Sequence, residues 1–203
     1  MTFPELADFH THQTGKSDAL LSLTPQEALA GCATPYSLSL HPWHVSDSMM
    51  TDFRLALERC QADPLFLAIG ESGLDNQCDT PLEQQLAAFR LSLTSARELH
   101  KPVIVHCVGY WNEMIREVSA IFGKPGKKNL PFNPLCLIHG FRKGPQLAKQ
   151  LLDAGYCLSL GEKFNPDVAR QIPDEWLFFE TDESKEDIWK IREKIVNLRA
   201  ENR

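Results

Sequence analysis

The sequence predicts an α/β fold, a compact or distorted (β/α)8 barrel with a shortened first crossover. Three observations carry that expectation. Short apolar runs of strand length recur eight times along the chain. Amphipathic stretches with helical periodicity separate the later runs. Histidines and carboxylates fall repeatedly where these runs end, at the rim where barrels of this kind carry their chemistry.

In chain order, the first run is Leu6 to His10 and the second Ala19 to Leu23. Only His12 to Asp18 separates them, whereas a parallel crossover usually needs a dozen or more residues. That joint is expected either to be an extended return without a helix or to distort the barrel. Pro25 to Ala30 is the one helix candidate before the third run, Tyr36 to Leu40. A helix over Asp52 to Ala62 follows, apolar at Phe53, Leu55, Ala56, Leu57 and Cys60. Leu65 to Ile69 is the fourth run, and Thr80 to Leu99 the next helix, opened by Thr80-Pro81 as N-cap and first helical position. Pro102 to His106 precedes a helix over Trp111 to Phe122. Gly123 to Pro134, with its Gly, Pro and Lys residues, is the longest expected loop. Leu135 to His139 is the sixth run, and Pro145 to Ala154 a helix stopped by Gly155. Tyr156 to Leu160, Trp176 to Glu180 and a last helix over Glu186 to Ala200 complete the set. Strands alternating with helices imply a mainly parallel sheet.

A chain of 203 residues can bury a sizeable core as one domain, so residues 1–203 are read as a single unit. It carries no internal repeat and no apolar stretch of membrane-spanning length. Met1 to Ala7 lacks a basic segment followed by an apolar run, which makes the cytoplasm the expected location. The 6 cysteines are scattered and form no CxxC pair, so reduced thiols are expected rather than a cysteine metal site. The formal net charge of −6 argues against nucleic-acid binding through a broad basic surface. It leaves room for a nucleic-acid enzyme, because bound cations offset carboxylates locally.

His10 and His12 end the first run two residues apart, which puts both imidazoles on one face of a strand. Taken alone, such a pair equally describes hydrogen-bonded core histidines. Glu71 is expected to close the fourth run between Gly70 and Gly73; turn capping is its alternative. His106 and His139 close the fifth and sixth runs. Asp182 follows the eighth, where it also fits an N-cap of the last helix. Together, four histidines and two carboxylates at strand ends form a nitrogen and oxygen ligand set suited to Zn²⁺, Mn²⁺ or Mg²⁺. One or two such ions would activate a water, with Glu71 able to bridge and Asp182 able to take the proton. Trp43, Tyr110 and Trp111 follow strand ends, where packing at the rim and stacking on bases are both open. Phe178 and Phe179 read as core.

The stretches Asp8 to His12, Leu40 to Trp43, Ile69 to Asp75, Pro102 to Cys107, Ile138 to Phe141 and Glu180 to Asp182 together resemble the TatD-family metal-dependent hydrolases of the amidohydrolase superfamily. The Gly-Glu-x-Gly-Leu-Asp segment is the most specific of them, and the resemblance covers almost the whole chain. It implies a TIM-like barrel, a one- or two-metal site and hydrolysis of DNA ends or another phosphodiester. On the resemblance, His10 and His12 bind the first metal, Glu71 bridges, and His106 and His139 bind the second. Asp182 completes the first site and acts as base, so Asp182 and Glu71 are the catalytic candidates. His41 lies where the family has a histidine facing the site, and could contact a substrate phosphate; it also fits a turn residue before Pro42. No membrane or protein partner is indicated.

Two departures stand out. Val108-Gly109 occupies the place where the family usually offers an arginine after the fifth strand. Arg142, with Lys143, could substitute as a substrate contact, or be an ordinary solvated pair. The chain is also short in the first crossover and after Asp182, where family members carry a longer rim loop. Three readings follow: a phosphodiesterase of the exonuclease type, an amidohydrolase-type enzyme for a small ester or amide, and a metal-binding protein without turnover. A polymerase-and-histidinol-phosphatase-type phosphoesterase also begins with His-x-His but fits the Gly-Glu-x-Gly-Leu-Asp and Thr-Asp segments less well.

Overall fold

The computed structural model describes residues 3–123 and 131–201. Most of the expected Gly123 to Pro134 loop lies outside the described residues. The elements are β1 (Asp8–Thr11), β2 (Ala19–Leu23), α1 (Pro25–Ala30), β3 (Tyr36–Leu40), α2 (Asp47–Cys60), β4 (Phe66–Asp75) and α3 (Leu82–Leu99). They continue with β5 (Val103–Val108), α4 (Trp111–Phe122), β6 (Cys136–Ile138), α5 (Pro145–Asp153), β7 (Cys157–Leu160), α6 (Pro166–Gln171), β8 (Leu177–Phe179) and α7 (Ile188–Ala200). The sheet has 8 strands in the order of the sequence, and every neighbouring pair is parallel.

Closure comes just past β8. Asp182 donates its N–H to the His10 carbonyl at 2.9 Å and accepts from the His12 N–H at 3.2 Å, a parallel bridge centred on Thr11. The eight-stranded sheet therefore wraps into a nearly closed barrel. The first crossover, residues 12–18, contains no helix; its end is held by Ala7 and Asp8 N–H groups donating to the Asp18 carbonyl at 2.8 and 3.3 Å.

Strands β1 to β7 are buried almost throughout, by the barrel interior and by the surrounding helices, which is why they read as nearly continuous apolar runs. Leu20, Leu38, Ile69, Ile104, Leu137 and Leu158 are fully buried and belong to one continuous core. Local chemistry sets the helix starts. Thr24 and Glu27 form a reciprocal capping box for α1. The Ser46 hydroxyl caps α2, which begins earlier than the apolar periodicity indicates because its first turn is solvent-facing. α3 corrects an expectation: Pro81, not Thr80, occupies the cap position, and no side chain caps it. Asp187, rather than Asp182, caps α7.

β4 is the second correction. Glu71 does not close it; the strand continues to Asp75. The pairing with β5 shifts register between Ile69 and Ser72, where Gly70 and Gly73 let the two backbones come unusually close. A Cβ on Gly70 would collide with the Ile104 carbonyl, and one on Gly73 with the His106 carbonyl. β5 likewise runs two residues past His106. Phe178 and Phe179 are half-buried rather than core, Phe178 packing edge-on against Phe9. All 6 cysteines are free. Among the described residues, no helix is long and apolar enough to cross a membrane.

Candidate metal centre

The six expected ligands come from five places along the barrel's C-terminal rim, His10 and His12 together at β1, and the closure of the sheet brings all six side chains together. His10 lies in β1 and is fully buried. Its Nε2 stands 3.4 Å from Glu71 Oε2 and 3.8 Å from Asp182 Oδ1. His12 Nε2, on the same strand face and more exposed, stands 3.5 and 3.8 Å from the same two oxygens. The other Glu71 oxygen, Oε1, faces a second group: His139 Nε2 at 2.7 Å, His106 Nδ1 at 2.8 Å and His41 Nε2 at 3.2 Å. The two carboxylate oxygens of Glu71 thus look at different sets of imidazoles.

Burial by itself would raise the Glu71 carboxyl, but the imidazoles of His139, His10 and His106 hold it well below the usual carboxylate range. Glu71 is therefore an anion with acceptor capacity on both sides. His12 is shifted upward, by its hydrogen bond to Glu71 against the effect of burial. His41 is shifted down, because burial outweighs its contact with Glu71.

The structure adds carboxylates that the sequence reading left unassigned. Asp75 Oδ2 accepts from Trp43 Nε1 at 2.7 Å and lies 3.0 Å from His106 Nε2. Glu180 is buried in the wall; its Oε1 accepts the Gly140 N–H at 2.6 Å and lies 3.6 Å from His139 Nδ1. Asp8 accepts from the Thr181 N–H at 3.0 Å and the Thr181 hydroxyl at 2.6 Å, tying β1 to the end of β8. A signal was present for all three. Each is a charged residue inside or adjoining an apolar run, which an apolar interior tolerates only with a specific partner. Asp75 and Glu180 stand behind two of the site histidines, where they fix which ring nitrogen faces the cluster.

The two expected substrate contacts have distinct settings. His41 both accepts the Trp43 N–H at 3.2 Å through Nδ1 and faces Glu71 through Nε2, so its turn role and its site-facing role coexist. Arg142 is largely exposed and reaches to 3.8 Å from Asp182 Oδ2. It lines one cavity with Val108 and Lys143. Asp182 itself adopts a left-handed backbone, φ 53°, a conformation uncommon for residues other than Gly, Asn and Asp.

The donor set fits a divalent cation. Two ligands bound at roughly 2.0–2.2 Å in tetrahedral geometry lie about 3.4 Å apart, and the separations around His10 and His12 are 3.4 to 3.8 Å. His10 is the sharper test. Both of its ring nitrogens are buried without a hydrogen-bond partner, an arrangement that is unfavourable for a free imidazole. Among the described residues, four overlapping groups could hold an ion, including His10–His12–Asp182, His10–Glu71–His139 and His41–Glu71–His106.

A parallel eight-stranded barrel whose strand ends converge histidines and carboxylates around one anionic glutamate defines a metal-binding (β/α)8 protein. The family model for TatD related DNase matches residues 19–192, and the chain belongs to that family. Among its relatives is the 3'-5' ssDNA/RNA exonuclease TatD of Erwinia amylovora, 30% identical over 177 residues, covering 82% of this chain and 63% of the relative. The uncharacterized metal-dependent hydrolase YabD of Bacillus subtilis is 28% identical over 150 residues, covering 69% of this chain and 56% of YabD. The chain thus spans 56 to 63% of the length of these two relatives. Among solved structures, the TatD homologue YjjV of Escherichia coli superposes with a TM-score of 0.67 at 20% identity, covering 91% of this chain and 85% of that one. It shares the fold.

Proposed function

We propose that this protein is a metal-dependent phosphodiesterase that removes nucleotides from a single-stranded nucleic-acid end, using one or two Mg²⁺, Mn²⁺ or Zn²⁺ ions. The observation that carries the reading is the disposition of Glu71, with one oxygen toward His10 and His12 and the other toward His106 and His139. Such a carboxylate is built to bridge. His10, His12, Glu71 and Asp182 would hold one ion, and Glu71, His106 and His139 a second. When bound, such ions supply Lewis acidity toward a phosphoryl oxygen and lower the pKa of water. Asp182, partly open to solvent at the mouth of the site, is placed to accept the proton of the attacking water. Arg142 and His41 flank the cluster and would position the substrate phosphate. Residues 1–203 are taken as one domain, since one sheet and one core run through all the described elements.

The test is hydrolysis of an end-labelled single-stranded oligonucleotide with added Mg²⁺ or Mn²⁺, beside a chelator control and the Asp182→Asn variant. Stepwise shortening that requires metal and is lost in the variant is the expected result. No cleavage by folded, metal-loaded protein overturns the phosphodiester assignment.

A further inference from the structure

Two cavities that reach the candidate metal centre differ in charge. The larger, about 570 Å³, shares His106, His139 and Asp182 with the smaller and is walled by Leu21, Leu23 and Trp43; among the described residues no Lys or Arg lines it, and Glu27 and Glu183 do. The smaller, about 310 Å³, carries Arg142 and Lys143. Trp43 is the unusual residue in the larger one. It is 56% exposed, yet its indole is fixed: Nε1 donates to Asp75 Oδ2 at 2.7 Å, and its ring meets that of His41 edge-on, centroids 5.3 Å apart. The other two aromatic candidates differ. Tyr110 and Trp111 are half-buried and packed on the core, Trp111 against Phe141 at 6.2 Å.

An indole fixed by its one polar atom and open to solvent is a ready platform for another ring. Its orientation is already restricted, so a ligand ring that stacks there need not order it. Away from the ligand cluster, the described lining of this cavity carries Glu27 and Glu183 and no Lys or Arg, which disfavours a phosphate in that part and accepts a neutral group. The arginine and lysine of the smaller cavity favour the charged backbone. We propose that the Trp43 cavity holds the terminal nucleobase of the substrate, stacked on the indole, while the phosphate-bearing remainder of the strand leaves over Arg142 and Lys143. This inference rests on the phosphodiesterase reading. It adds a base-binding subsite, and with it a reason for action at an end: the walled cavity receives one terminal residue.

The experiment compares two oligonucleotides of one sequence, one with an ordinary terminal residue and one whose terminal residue is abasic. The parent protein and the variants Trp43→Ala and Trp43→Phe are measured on both with Mn²⁺. Base-on-aromatic stacking predicts that the parent favours the base-bearing end in kcat/KM by roughly tenfold or more. Trp43→Ala should reduce that ratio to near one, with the loss on the base-bearing end mainly in KM. Trp43→Phe, which keeps a ring but loses the indole N–H, should retain part of the ratio. A role of Trp43 confined to supporting Asp75 lowers both substrates alike and leaves the ratio intact, which overturns the proposal. Equal cleavage of both ends by the parent also overturns it, while leaving the phosphodiesterase reading standing. Absence of any cleavage removes that reading, and this inference with it.

Discussion

Replacing Asp75 with Asn changes the hydrogen-bond arithmetic behind His106 and leaves the side-chain volume almost untouched. Asp75 is buried and faces three nitrogens: Trp43 Nε1 at 2.7 Å and His106 Nε2 at 3.0 Å on Oδ2, and the Gln77 N–H at 2.7 Å on Oδ1. Burial alone would raise this carboxyl, but the Gln77, Trp43 and His106 donors keep it below its ordinary value. An ionised carboxylate accepts on both oxygens, whereas an amide offers one acceptor and one donor group. If the NH₂ takes the Oδ2 place, it opposes the Trp43 N–H. It also obliges His106 Nε2 to accept, which moves the imidazole proton to Nδ1, the nitrogen that faces Glu71. A protonated Nδ1 cannot serve as a ligand. If the amide turns over, the NH₂ opposes the Gln77 N–H instead, and His106 Nε2 exchanges a charged carboxylate partner for a neutral amide oxygen, about half as strong an acceptor. Either way one partly buried donor loses its partner, a cost of about 1 kcal/mol in stability. Loss of the partner that orients a ligating histidine lowers metal affinity by about 10–100-fold, equal to about 1.4–2.7 kcal/mol. Urea unfolding in chelator measures the first quantity and calorimetric titration of metal-free protein with Mn²⁺ the second. A variant that loses stability yet binds Mn²⁺ within about twofold of the parent refutes the reasoning, for Asp75 would then support only the fold.

Two further outcomes test the scaffold. Gly70→Ala places a methyl group against the Ile104 carbonyl at a residue with φ of 119°; strain and overpacking together should lower stability by about 2–6 kcal/mol, read from the urea midpoint, and a change below about 0.5 kcal/mol rejects the close-approach argument. Arg90 grips Glu117 through two bonds, Nε–Oε2 at 2.7 Å and Nη2–Oε1 at 2.9 Å, and this pairing, against burial, holds the Glu117 carboxyl below its ordinary value. The stabilisation is present above the unfolded pKa of about 4.3 and is lost as pH falls through the lower folded value. With Arg90 half-exposed, the pair is screened to about 1 kcal/mol, so Glu117→Gln should trail the parent by that amount near neutral pH and match it at strongly acidic pH. A difference that does not shrink on acidification contradicts the assignment.

Much of this protein is legible in the residue order. A buried parallel strand needs apolar side chains on both faces, so β2 and β3 coincide with their apolar runs. The missing helix between His12 and Asp18 is equally direct, because the residues there are too few to form a crossover helix and two linkers. The six expected ligands are visible as histidines and carboxylates where apolar runs stop. Their coming together was beyond the sequence. Glu71 and His106 do not end their strands; they lie within β4 and β5. They reach the cluster because Gly70 and Gly73 let β4 shift register against its neighbour. That close backbone contact exists only once both strands are paired.

The partners behind the ligands show the same division. Asp75 and Glu180 stand in plain view in the sequence, but a carboxylate announces a function only through what it faces. Asp75 meets His106 across 31 positions of chain and Glu180 meets Gly140 across 40. Trp43 is the clearest case: its position after β3 leaves packing and stacking equally open, and a single hydrogen bond to Asp75 decides that the indole is fixed while its ring stays exposed. The sequence by itself determined the barrel, its short first joint and which histidines and carboxylates stand near the ends of its apolar runs, because these follow from residue order, local periodicity and chain length. Tertiary structure alone decided which oxygen of Glu71 faces which imidazoles, which carboxylate stands behind each histidine and where the two cavities lie, because those depend on the distance between strands once the barrel has closed.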